Sequence, residues 1–127
     1  MTQPRLLLLE DDIQLLALYQ KFLEAENFAV TALASFSEGM QFIDTHDRLD
    51  IAIVDFWLDE KNAASVLDKL RERFPKTPTL VVSGGNDTTS IETAHAAAQV
   101  SGALAFLQKP FERQELIRVV NDLLARS

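Results

Sequence analysis

With 127 residues there is room for one domain with one core, expected to span residues 1–127, and 47% hydrophobic residues suffice to fill it. A net charge of −7 argues against direct contact with a nucleic-acid backbone, which needs a basic face to release counterions. The absence of cysteine excludes disulfides, thiolate chemistry and Cys-ligated zinc together, and it permits a cytosolic location.

Met1 to Leu9 carries one basic residue and a leucine run that stops at the acids Glu10, Asp11 and Asp12, far short of a signal peptide or a membrane span. Arg5–Leu9 reads as a first strand. Leu15, Leu18, Tyr19, Phe22 and Leu23 recur at three- and four-residue steps, so Asp12–Ala25 is expected to be an amphipathic helix with an acid-rich start. Phe28–Ala32 is the least apolar of the candidate strands and suits a sheet edge. Ser35 with Glu38 has capping-box spacing and marks the start of a second helix.

Ile51–Val54 reads as the third strand and Ala63–Phe74 as the third helix, closed by Pro75 and Pro78. Thr79–Val82 is the fourth strand. Thr89 with Glu92 repeats the capping-box spacing for a fourth helix, which Gly102 ends. Leu104–Leu107 and Glu112–Ala125 supply the fifth strand and fifth helix. Short apolar runs alternating with helical segments predict an α/β domain, a doubly wound parallel sheet whose ligands sit beyond the carboxyl ends of the strands.

The reactive side chains gather at those ends. Glu10, Asp11 and Asp12 follow the first strand, Asp55 ends the third, Ser83 ends the fourth and Lys109 follows the fifth. Carboxylates converging at one edge repel one another unless a cation intervenes, and Mg²⁺ takes oxygen ligands of this kind. Neither His46 nor His95 lies at that edge, which disfavours zinc and leaves both histidines without an assigned role. A carboxylate held against a hard cation can attack phosphorus, and Asp55 is central among these groups. Phosphoryl transfer needs positioning and charge neutralisation, which Lys109 would supply from the other side while Ser83 adds a hydroxyl donor. Asp12 reads as a helix-start acid only.

The blocks "LLLLEDD", "DIAIVDF", "TLVVSGG" and "ALAFLQKPF" resemble, in order and over nearly the whole chain, the signature blocks of the CheY-like receiver domains of two-component response regulators. The resemblance implies a flavodoxin-like (βα)5 fold with strand order 2-1-3-4-5, and a phosphoacceptor signalling domain rather than an enzyme that turns over a metabolite. It implies Asp55 as phosphoacceptor and Mg²⁺ held by Glu10, Asp11, Asp55 and the backbone carbonyl of Trp57. Ser83 and Lys109 would contact the phosphoryl oxygens, Phe106 stands at the aromatic switch position, and Lys109–Pro110 matches a bond that is usually cis. The implied partners are a sensor histidine kinase or a histidine phosphotransfer protein, docking at Ile13, Gln14, Leu16, Ala17 and Gln20, and a downstream protein of unknown identity. Ile13 and Leu16 are expected to be its exposed apolar anchors. The face of the fourth helix, fifth strand and fifth helix is the implied signalling surface, with a homodimer through it left open, in a cytoplasmic setting away from membranes.

The sequence departs from the family pattern after Asp55. Asp59 and Ala63 stand where a proline and a glycine are usual, so this loop is expected to take another path. The interval from Ser83 to Lys109 is also longer than usual. Two other readings use the same residues. A phosphorylation-independent pseudo-receiver would fit the altered loop but not the retained Glu10, Asp11, Ser83 and Lys109. A haloacid-dehalogenase-type phosphatase shares the aspartyl-phosphate chemistry, but its nucleophile precedes its acidic pair in a D-x-D pattern, whereas here the pair comes first and position 57 is Trp.

Overall fold

The computed structural model describes residues 3–59, 61–84 and 105–126. The strands β1 (Arg5–Leu9), β2 (Ala29–Leu33), β3 (Ile51–Asp55), β6 (Thr79–Ser83) and β7 (Ala105–Gln108) form one sheet, and β4 (Trp57–Leu58) and β5 (Lys61–Asn62) form a separate hairpin. The sheet order is β2-β1-β3-β6-β7 and every neighbouring pair is parallel. Counting only the strands of the large sheet, this is the expected order 2-1-3-4-5, with the weakest strand at one edge.

Period-two alternation divides the apolar strands between two cores. Leu7, Leu9, Ala52, Val54 and Val81 face α2 (Phe36–Thr45) and α3 (Ala64–Arg73), where they meet Phe42, Ile43, Val66, Leu67 and Leu70. Leu6, Leu8, Ile51, Ile53, Leu80 and Val82 face α1 (Ile13–Ala25) and the C-terminal helix Arg113–Arg126, where they meet Tyr19, Leu23, Leu116, Val120 and Leu123. Covering both faces is what allows β1 and β3 to be continuous apolar runs. Tyr19 also stacks on Phe111, with ring centroids 5.0 Å apart, tying α1 to the segment after Lys109. The fourth helix expected from Thr89 and Glu92 lies outside the described residues.

The helix starts follow local chemistry. Asp12 caps α1, its side chain accepting from the N–H groups of Gln14 and Leu15. Ser35 caps α2 by accepting from the Glu38 N–H at 3.1 Å. Gly39 lets α2 sit directly on β1, since a Cβ there would come within 2.7 Å of Leu9 Cδ1.

Two expectations need correction. β2 runs Ala29–Leu33 rather than Phe28–Ala32, because Asn27 turns the chain at φ 70° and Phe28 points into the core. On α1, Leu18 is 43% exposed, whereas Leu16 packs on the core with Leu15 and Phe22. At 100° per residue the buried arc is centred on Tyr19, and Leu18 falls on its solvent margin.

Candidate functional site

Strand register brings the reactive groups together. Leu9 lies opposite Val54, so Glu10 emerges beside Asp55, and Asp55 lies opposite Val82, so Ser83 stands one residue beyond it on β6. Ser83 pairs with Gln108, and the Lys109 N–H donates to the Ser83 carbonyl at 3.0 Å, which fixes the point where Lys109 leaves the sheet. The Lys109–Pro110 bond that follows is cis.

Glu10, Asp55 and Ser83 are buried, at 1%, 5% and 0% exposure. The Lys109 ammonium bridges the two acids, 2.5 Å from Glu10 Oε1 and 2.9 Å from Asp55 Oδ2. The other Asp55 oxygen accepts the Trp57 N–H at 3.0 Å. Asp11 is exposed at the mouth, and one carboxylate oxygen each from Glu10, Asp11 and Asp55 lie within 4.8 Å of one another.

Burial, first of all, pushes the Glu10 pKa up to about 8, and the Asp55 hydrogen bond and charge add to it while Lys109 opposes. Burial also pulls on Lys109, toward neutrality, but the Glu10 hydrogen bond and the Asp55 charge outweigh it and hold its pKa above the usual lysine value. The single ammonium is therefore not enough to keep Glu10 fully ionised at neutral pH. The donor set is all oxygen, as a hard divalent cation requires. Glu10, Asp11 and Asp55 are the residues that could hold Mg²⁺.

Trp57 begins the hairpin directly beside Asp55, and its indole N–H is buried without a hydrogen-bond partner among the described residues. Phe106 is half-buried on β7, packed against the core on the α2 and α3 side. Ile13, Gln14 and Ala17 are exposed on α1, Ile13 at 64%. Gln20 is half-buried, with its amide on Glu24 Oε2 at 3.3 Å. Leu16, expected as an exposed anchor, is half-buried and packed against the core, and Leu18 is the more exposed leucine at 43%. His46 is engaged locally, Nδ1 lying 2.9 Å from the Phe42 carbonyl and its ring stacked on Phe42. A cavity of about 500 Å³ bordered by Arg5, Phe28, His46 and Arg48 lies at the opposite edge of the sheet and contains none of the reactive groups.

Asp59 is a further participant that residue type and spacing do not reveal. Its N–H donates to Asp11 Oδ2 at 3.1 Å, and its carboxylate accepts the Phe36 N–H at 2.9 Å. Only the departure from proline at this position hinted that it matters.

Among known proteins, the chain is 30% identical over 122 residues to the transcriptional regulatory protein GlrR of Escherichia coli K12, covering 96% of this chain and 26% of that protein. It is 28% identical over 123 residues to the E. coli K12 transcriptional regulatory protein CpxR, covering 97% of this chain and 50% of that one. It thus spans between a quarter and a half of the length of these relatives. A CheY-like receiver domain protein from Methanospirillum hungatei superposes with a TM-score of 0.88 at 24% identity, covering 98% and 96% of the two chains, which is a likeness of fold. The receiver domain of NtrX from Brucella abortus gives 0.81 at 25% identity, covering 96% and 99%. The response regulator receiver domain profile matches residues 6–121. Together with the parallel five-stranded sheet and the acidic pocket closed by a lysine, that match shows that the chain belongs to the response regulator receiver domain family.

Proposed function

We propose that this protein, as a single receiver module spanning 1–127, takes a phosphoryl group onto Asp55 from the phosphohistidine of a sensor histidine kinase or a histidine phosphotransfer protein. The carrying observation is the Lys109 ammonium seated between Glu10 and Asp55 at the carboxyl edge of the sheet. Bound Mg²⁺, held by Glu10, Asp11, Asp55 and the Trp57 carbonyl, would neutralise charge on the transferring oxygens. An Asp55 oxygen forms the new bond to phosphorus as the bond to the donor imidazole nitrogen breaks, and the imidazole leaves with the electron pair. Lys109 balances charge on the phosphoryl oxygens, and Ser83, at the end of the next strand, offers its hydroxyl to one of them. Trp57 orients Asp55 through its backbone N–H.

Signalling follows from a change of surface. Phe106 moves inward as Ser83 engages the phosphoryl group, altering the face of the expected fourth helix, β7 and the C-terminal helix that a downstream protein or a second copy reads. The donor protein docks on α1 over Ile13, Gln14, Leu16, Ala17 and Gln20, where Ile13, Gln14 and Ala17 are exposed and Leu16 and Gln20 are half-buried. Among the described residues no helix is long and apolar enough to cross a membrane; the proposed setting is cytoplasmic, and the net charge of −7 speaks against contact with a nucleic-acid backbone.

Incubation with acetyl phosphate and Mg²⁺ tests the assignment. One phosphoryl group per chain is expected, lost in Asp55→Asn; label that survives this substitution places the acceptor elsewhere.

A further inference from the structure

The segment after Asp55 connects the pocket to α2. Asp59 sits at the turn of the β4–β5 hairpin with φ 52°, a left-handed conformation that Asp tolerates but that its surroundings must hold. Two bonds hold it. Its N–H reaches Asp11 Oδ2 at 3.1 Å, and its own Oδ2 turns away from the acidic cluster to accept the N–H of Phe36, the first residue of α2, at 2.9 Å. Lys61 on the return strand adds a second link to the same residue, its ammonium 4.9 Å from the Phe36 ring centroid. Asp11, the exposed member of the acidic trio, is thereby joined through a single residue to the start of a helix seated on Leu9.

We propose that Asp59 is a positioning residue that aims Asp11 at the metal and carries the occupancy of the site to the N-terminus of α2. The inference rests on reading Glu10, Asp11 and Asp55 as a Mg²⁺ site. A cation drawing on the Asp11 carboxylate takes charge from the oxygen that accepts the Asp59 N–H, so that bond weakens or reorients when the site fills. A left-handed residue persists only while its surroundings over-determine it. Loosening one of its two bonds lets the backbone relax and draws the carboxylate back from Phe36. The α2 terminus and the hairpin then report the state of the pocket on the α2 side of the sheet.

The test is a Mg²⁺ titration of the ¹⁵N-labelled protein, following the amide resonances of Asp11, Asp59 and Phe36. In the wild type all three are expected to shift with one midpoint. Asp59→Gly keeps the N–H and the left-handed path but removes the carboxylate, so Asp11 still titrates and Phe36 falls silent. Asp59→Asn keeps an acceptor oxygen and restores the Phe36 response. If Phe36 stays still in the wild type while Asp11 titrates, or responds equally in Asp59→Gly, the inference is overturned and the metal reading stands. If Asp11 does not respond to Mg²⁺ at all, both are overturned.

Discussion

Asp55 is held at both oxygens, by the Lys109 ammonium at 2.9 Å and the Trp57 N–H at 3.0 Å, so its orientation is set before a donor arrives. In the proposed phosphorylated form, Trp57 would bear on how long the phosphoryl group stays. Hydrolysis needs a water in line with the bond to Asp55, and a polar side chain that orients this water lowers the barrier. In the family the residues two beyond the phosphoacceptor and two beyond the Ser/Thr flank that approach. Here they are Trp57 and Gly85, of which Gly85 lies outside the described residues. An indole can only donate, and glycine has no side chain, so neither accepts a proton from water. The phosphorylated protein is therefore expected to be long-lived. Trp57→Asn, which supplies an acceptor and opens the approach, should speed loss of phosphate about tenfold, equivalent to ~1.4 kcal/mol. Phosphate release after removal of the small donor measures this, and an unchanged rate would show that water access at Trp57 does not set the lifetime.

At the scale of elements, α2 depends on one small residue. An alanine at position 39 would place its Cβ 2.7 Å from Leu9 Cδ1, and because Leu9 is fully buried its side chain can yield only by repacking within the core. Overpacking of this kind costs about 1–3 kcal/mol, and the better helix propensity of alanine returns about 1 kcal/mol at most. Gly39→Ala should thus lose about 1 kcal/mol in urea denaturation. Leu9→Val removes the clashing atom, so the double variant should be more stable than the sum of the two losses, and strict additivity would refute the clash. Most of this architecture is legible in the sequence because the strands are short apolar runs whose ends carry the acids, Ser83 and Lys109. Strand ends on one edge of a parallel sheet must converge, so Glu10, Asp55 and Ser83 can be placed together without coordinates. The β4–β5 hairpin is not legible. The missing proline and glycine announce a changed path, but two-residue strands around Asp59 have no periodicity to read. The exchange of Leu16 and Leu18 has a similar origin, since both sit at the margins of the apolar arc and spacing alone does not say which margin the sheet covers.

Among the described residues the molecule carries two carboxyl groups, Glu10 and Asp55, into its interior, and its stability is therefore expected to depend on pH and on divalent cations together. Glu10 has a pKa of about 8 in the fold against an ordinary 4.5, so between these values the folded protein keeps a proton that the unfolded chain releases. Its contribution to stability is complete below about pH 4.5 and is lost as pH rises through 8. Lys109, raised above its ordinary 10.5, contributes evenly across that window and does not alter the slope. In EDTA the protein should therefore lose stability from pH 5 to pH 8, by an amount on the order of 2 kcal/mol, and Glu10→Gln should flatten the decline. A divalent cation at the proposed site would bind the ionised carboxylates, so Mg²⁺ is expected to compete with the proton on Glu10 and to stabilise the fold by mass action. Its effect on the denaturation midpoint should be larger at pH 8 than at pH 5. Urea or thermal denaturation at both pH values, with EDTA and with Mg²⁺, reads all of this at once. A Mg²⁺ effect that is the same at both, or a pH slope that survives in Glu10→Gln, would mean that the buried carboxyl at the end of β1 is not the group linking proton and metal.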